Sequence, residues 1–134
     1  MFNPENKIIL NNVSINDINL NSNALIYSLY RDLIISNLDI QNIKCIGNND
    51  KSSLIMFNSG ALSQKMEISN SNVSNCLTNG SLINITGNDN EINIKDTTID
   101  DNTSYGSGII NSSSKVKYIY IIKWYHKIIF IIYN

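Results

Sequence analysis

LIISNLDIQNIKCI, residues Leu33 to Ile46, is the stretch whose spacing decides the fold. Its apolar residues fall at Leu33, Ile35, Leu38, Ile40 and Ile43. Leu33 and Ile35 are two apart, as are Leu38 and Ile40, the period of a strand with one buried face. Between the two pairs the spacing slips by one residue at Asn37. The segment therefore reads as two short strands meeting at a bend.

The pattern recurs. Ile8, Leu10, Asn12, Val13, Ile15, Asp17 and Ile18 fit it, as do Met66, Ile68, Asn70, Val73, Asn75 and Cys76. Ile92, Ile94, Asp96, Ile99, Asp101 and Asn102 make a fourth, more polar copy. The copies start at Ile8, Leu33, Met66 and Ile92, so the second repeat is the longest and the first and third are nearly equal. A third apolar patch follows in each: Leu25 and Ile26, Leu54 to Phe57, Leu82 to Ile85, and Ile109 with Ile110. Each repeat is thus expected to hold three short β segments, and a period of about 20 to 50 residues marks a solenoid.

One such unit cannot bury its apolar residues alone, but wound into a coil and stacked on copies of itself it can. Each coil adds about 4.8 Å along the axis, so four coils make a prism about 20 Å tall. Stacking predicts an interior column of Leu10, Ile35, Ile68 and Ile94, and a second of Ile15, Ile40, Val73 and Ile99. Leu25, Leu54, Leu82 and Ile109 form a third. Isoleucine and valine predominate in the first two, as a pleated buried surface prefers. The bend column is Asn12, Asn37, Asn70 and Asp96. A sharp corner needs residues that tolerate a left-handed backbone, and Asn and Asp do so best after Gly. Stacked Asn amides can also hydrogen-bond along such a column.

The alternation of hydrophobic-x-hydrophobic pairs with Asn corners over residues 7–114 resembles the right-handed parallel β-helix family, the pectin-lyase-like solenoids. It is closest to their non-enzymatic, Asn- and Ile-rich surface repeats. A leucine-rich repeat is the rival fold, but its Asn falls one position off and no helical stretch follows here. The resemblance implies an all-β, short β-solenoid of about four three-strand coils. It also implies a structural or adhesion role, in a cell-surface or secreted protein that meets a carbohydrate or protein partner. The enzymes of that family set the second expectation, a fragment of a polysaccharide-acting enzyme. Their Gly-His-Gly and basic motifs are missing, since the single histidine is His126.

The chain has 134 residues, including 26 Ile and 24 Asn, and a net charge of −1. One domain is the upper bound at this length. A near-neutral chain with no basic patch in its repeats argues against nucleic acid, whose binding leans on Lys and Arg. Residues 1–6 form a polar lead-in without a basic region followed by an apolar run, so no signal peptide is expected there. So short a lead-in cannot cap the first coil, whose open edge invites pairing. The expectation is either a partner on that edge or, preferred, neighbouring coils of a longer chain.

Cys45 and Cys76 are the only cysteines, lie two positions out of register, and are expected to be buried free thiols. Without paired histidines they make no zinc site, and no cofactor or metal is expected. The segments 47–53 and 59–65 are expected loops, where a rigid solenoid would carry any binding surface. Asp89 with Glu91, and Asp100 with Asp101, are the acidic pairs a catalytic reading would use; the repeat column already gives Asp101 a corner role beside Asp17, Asn42 and Asn75. Asn12, Asn72, Asn79, Asn84, Asn102 and Asn111 each head an N-x-Ser/Thr glycosylation acceptor sequence, a number that so Asn- and Ser-rich a chain nearly supplies by itself.

The composition changes abruptly at residues 115–134. Val116 to Tyr133 reads VKYIYIIKWYHKIIFIIY, with no Asn, Asp, Ser or Gly. As a helix it would span about 27 Å, near the bilayer core of about 30 Å. Lys123, His126 and Lys127 sit mid-span and disfavour a membrane segment. A fifth coil and non-repeat read-through are the other two readings.

Overall fold

The computed structural model describes residues 6–47, 51–106, 108–113 and 116–122, the last stretch by backbone alone. Most of the polar lead-in, the tip of the loop after Gly47, and the tail beyond residue 122 lie outside the described residues.

The described chain is all-β, without a helix, and winds into a parallel β-solenoid of about four turns. The first coil holds β1 (Lys7–Asn16), β2 (Asn19–Leu20) and β3 (Ala24–Leu29). The second holds β4 (Asp32–Gln41), β5 (Lys44–Cys45) and β6 (Ser53–Asn58). The third holds β7 (Lys65–Ser69), β8 (Asn72–Ser74), β9 (Leu77–Thr78) and β10 (Ile83–Thr86). The fourth holds β11 (Asn90–Lys95), β12 (Thr98–Asp100), β13 (Thr103–Ser104) and β14 (Ile110–Ser112). Each coil therefore adds to the three expected segments a two-residue strand, and these stack as a sheet of their own, β2-β5-β9-β13. β15 (Val116–Ile122) pairs in parallel with β11, so residues 116–122 add a fifth rung to the first face. The register shifts by one position at Asn90–Glu91, with Lys117 as the extra residue of a bulge.

Stacking follows the repeat steps. Leu10 pairs with Ile35, Ile35 with Ile68, and Ile68 with Ile94. Ile15, Ile40, Val73 and Ile99 stack likewise. In coils two to four both columns are buried, with Ile35 and Ile40 fully enclosed. Burying such a side chain contributes about 1.5–3 kcal/mol. On the third face Leu54 and Leu82 are buried at its leading corner, with Leu25 and Ile109 half-buried at the ends of that column. Two further columns point inward along the strands themselves: Ile26, Ile55, Ile83 and Ile110, then Ser28, Phe57, Ile85 and Ser112.

The bend residues adopt the left-handed backbone, with φ of 56° at Asn12, 53° at Asn37, 48° at Asn70 and 47° at Asp96. In coils one and two the strand runs through this bend as one element; in coils three and four it breaks. The residue after the corner explains the difference. Val13 and Leu38 carry no polar group, whereas Ser71 and Thr97 fold a hydroxyl back onto the carbonyls of Ser69 (2.8 Å) and Lys95 (2.9 Å). The Ser71 hydroxyl also accepts the N–H of Leu38 at 3.1 Å, so a side chain takes a place in the backbone ladder. Every buried side-chain nitrogen and oxygen among the described residues has a partner.

Gly87 lies at a bend where the neighbouring coil approaches closely. Its φ is +112°, and a Cβ there would lie 1.9 Å from the Ser59 hydroxyl oxygen and 3.0 Å from Gly60 backbone atoms. Gly87→Ala is expected to cost about 1–3 kcal/mol, read as a lower urea midpoint at unchanged slope; an unchanged midpoint would contradict this close approach.

Candidate functional site

Three features of the solenoid surface bear on function: the corner ladders, the charged outer faces and two shallow grooves.

The hydrogen-bonded corner ladder is the second one, not the first. Asp17, Asn42, Asn75 and Asp101 also adopt left-handed backbones, with φ between 50° and 57°. The Asn42 amide donates to Asp17 Oδ1 at 2.9 Å, and the Asn75 amide donates to Asn42 Oδ1 at 2.5 Å. At the first corner, Asn12, Asn37, Asn70 and Asp96 stack without bonding to one another. Asn37 donates sideways to Asn11 Oδ1 at 3.2 Å, the same oxygen that accepts the Ser36 hydroxyl. Asp101 lies at the second corner, where its N–H donates to Asp100 Oδ1 at 3.0 Å. Asp89 is another left-handed corner, with φ of 48°, and its carbonyl accepts the Ser63 hydroxyl. Among the described residues no group of three or more His, Cys, Asp or Glu side chains is placed to hold a metal ion.

The outer side of the first face alternates in charge along the axis. Lys7 pairs with Asp32, and Glu91 with Lys65, whose N–H donates to Asp32 Oδ1. In-register opposite charges favour this pairing, whereas like charges one rung apart would repel. Glu67 sits between Lys65 at 2.9 Å and Lys95 at 3.8 Å. The Lys65 hydrogen bond, with the charges of both lysines, holds the Glu67 carboxyl below its ordinary range despite partial burial. On the next face the Asn72 and Gln41 amides, donating to Asp39 at 2.9 Å and 3.0 Å, hold that carboxyl low as well. Their stabilisation is complete above the unfolded carboxylate range of about 4 and is lost as pH falls through the lowered native values. The urea midpoint is therefore expected to fall on acidification below about pH 4. Glu67→Gln with Asp39→Asn should flatten that limb; a midpoint as acid-sensitive as before would contradict the assignment.

Cys45 and Cys76 are both buried and free. Burial pushes both thiols up. The Cys45 thiol donates to the carbonyls of Ser53 (3.3 Å) and Ser22 (3.5 Å), so it sits in the stack as a small core residue. Of the six acceptor asparagines, five are half-buried and hydrogen-bonded to other protein groups. Asn102, for example, donates to the Val73 carbonyl at 2.8 Å and accepts the Cys76 N–H at 2.9 Å. Asn12 alone of the six is exposed without a side-chain hydrogen bond among the described residues.

The larger groove, about 380 Å³, is lined by Lys51, Gly80, Ser81, Asn84, Tyr105, Gly106 and Asn111. Its floor is backbone, because the coils approach closely where Gly80 and Gly106 stack. A Cβ on Gly106 would fall 2.5 Å from the Gly80 carbonyl carbon, and one on Gly80 would fall 2.7 Å from that of Lys51. The Asn111 amide donates to Asn84 Oδ1 at 3.1 Å, which leaves one acceptor on Asn111 and donors on both amides for a ligand. Tyr105 is 71% exposed. An aromatic face beside a paired-amide edge can stack on an apolar ring surface while bonding its polar rim. A smaller groove of about 240 Å³ runs along the second corner, lined by Asn42, Lys44, Asn75, Cys76, Leu77, Asp101 and Thr103. No helix among the described residues is long and apolar enough to cross a membrane.

The chain matches no protein-family model, no curated protein and no solved structure.

Proposed function

We propose that this chain is a non-catalytic structural and interaction module, a rigid solenoid of the pectin-lyase-like kind in a cell-surface or secreted protein. It presents polar faces and a groove to a carbohydrate or protein partner. The observation that carries this reading is the exposed Tyr105 ring beside the Asn84–Asn111 amide pair, over a floor of glycine backbone. Exposed aromatic side chains are favoured anchors of recognition surfaces, and a stacked-coil scaffold fixes their spacing without a loop having to order.

Binding of the full chain to an array of glycans and to insoluble cell-wall polysaccharide tests the proposal. Retention on at least one polysaccharide is expected, with Tyr105→Ala lowering the affinity about tenfold or more. Retention unaffected by Tyr105→Ala would move the surface elsewhere on the solenoid. No retention on any polysaccharide would remove the carbohydrate half of the proposal.

A further inference from the structure

The third face, built from β3, β6, β10 and β14, holds no charged residue in any of its strands. On β3, Ile26 and Ser28 point inward while Tyr27 and Leu29 are exposed. Stacking in register sets Tyr27, Met56, Asn84 and Asn111 in one outward column. Leu29, Asn58 and Thr86 form the column beside it. The outer side of the first face, by contrast, alternates lysine with carboxylate. Lys51 reaches the adjoining groove from the turn before β6. The exposure of Tyr27 is a property of the face. A neighbouring coil covers the edge of a strand and leaves its outer side open, as Met56 and Asn84, both only half-buried within the stack, show.

We infer that this face binds an uncharged polysaccharide laid along the solenoid axis, one sugar residue to a rung. The inference rests on the groove reading above and names its ligand class. The rungs are about 4.8 Å apart, close to the rise of one pyranose residue in an extended β-1,4-linked chain. Column and chain therefore stay in step across the four rungs, a span of about 14 Å. The Tyr27 ring and the Met56 thioether offer apolar surface to the C–H face of a sugar. Farther along, sugar hydroxyls meet amides. Asn111 donates to Asn84 Oδ1 at 3.1 Å and keeps its own oxygen and a second N–H for a ligand. Asn58 accepts the Gly60 N–H at 2.9 Å, so its amide N–H groups are the donors that the second column offers. Tyr105 stands beside the Asn84–Asn111 pair at the fourth-coil end. A chain with a carboxylate on every residue would lay that charge over rings and amides with no column of cations to match it, so a uronate polymer fits worse.

Titration calorimetry of the full chain with β-1,4-linked glucose, mannose and xylose oligosaccharides, from disaccharide to hexasaccharide, tests the inference, with polygalacturonate as the charged comparison. Affinity for at least one neutral series is expected to climb with each residue up to the tetrasaccharide and then level off. It should exceed that for polygalacturonate and be insensitive to added salt. Tyr27→Ala should weaken binding about tenfold at unchanged circular dichroism, and Tyr27→Phe should restore it. Affinity that stops rising at the disaccharide overturns the inference, as does weakening by Tyr105→Ala with none by Tyr27→Ala. In both cases the groove reading survives and the axial run does not. A preference for polygalacturonate, abolished by salt, overturns the ligand class alone. Binding to none of these chains overturns the inference, and retention on another polysaccharide would then leave the groove reading standing.

Discussion

Lysine in place of Ile35 is expected to leave the chain unfolded, whereas lysine one position earlier, in place of Ile34, is expected to change stability by about 1 kcal/mol or less. The two positions are adjacent in sequence and opposite in direction. Ile35 is fully buried between Leu10 and Ile68. Its replacement forfeits about 1.5–3 kcal/mol of apolar burial and forces an unpaired ammonium into the core, at several kcal/mol more. The sum takes most or all of the roughly 5–15 kcal/mol by which a typical domain is stable. Ile34 points outward, in register with Glu67 on the next rung, so a lysine there meets an opposite charge. Far-ultraviolet circular dichroism and urea titration of the two variants read the contrast. Equal damage from both substitutions would contradict the inward and outward assignment of the whole first face.

Phe57→Ala is expected to destabilise by about 3–5 kcal/mol. Phe57 is fully buried and is the only aromatic side chain in the core among the described residues. It stacks between Ser28 and Ile85, so the second coil supplies volume that the small Ser28 leaves open in the first. Collapse cannot close the gap, because backbone ladders on both sides fix the spacing between coils. Phe57→Leu, which keeps most of the volume, should lose far less. A urea midpoint that hardly moves on Phe57→Ala would mean that the third face does not close on the other two.

The stacking of coils was legible in the sequence because it rests on strict period and repetition. Ile35, Ile68 and Ile94 stand at equivalent positions of a pattern that survives repeats of unequal length. The corner residues were legible for the same reason, since Asn or Asp recurs where a left-handed backbone is required. What escaped had one of three physical causes. The two-residue strands such as Lys44–Cys45 are too short to show a period. On the third face two adjacent apolar residues, as at Leu25–Ile26, give alternation no phase; the leading corner column could be read, but not the inward columns of Ile55 and Phe57 behind it. Polar residues packed into the stack, Ser71, Thr97 and Asn102, read as surface until their backbone partners are seen.

The candidate site was less legible than the fold. Its members come from separate coils: Asn84 and Asn111 belong to successive rungs, and Lys51 to the rung before them. No local motif joins them; only the stacking of coils does. The corner ladder teaches the same lesson. Side-chain bonding runs up Asp17, Asn42 and Asn75, while at the first corner Asn37 bonds across the rung to Asn11 and not to the corner residue Asn12 beside it.

Methyl-to-methyl nuclear Overhauser contacts test the central claim, an in-register parallel stack, most directly. With isoleucine and valine methyls labelled, the stack predicts contacts from Ile40 to Val73 and from Val73 to Ile99, each pair a full coil apart in sequence. It also predicts the parallel ladder of contacts between β4 and β7. Contacts confined to strands adjacent in sequence, in the antiparallel pattern of hairpins, would contradict the solenoid.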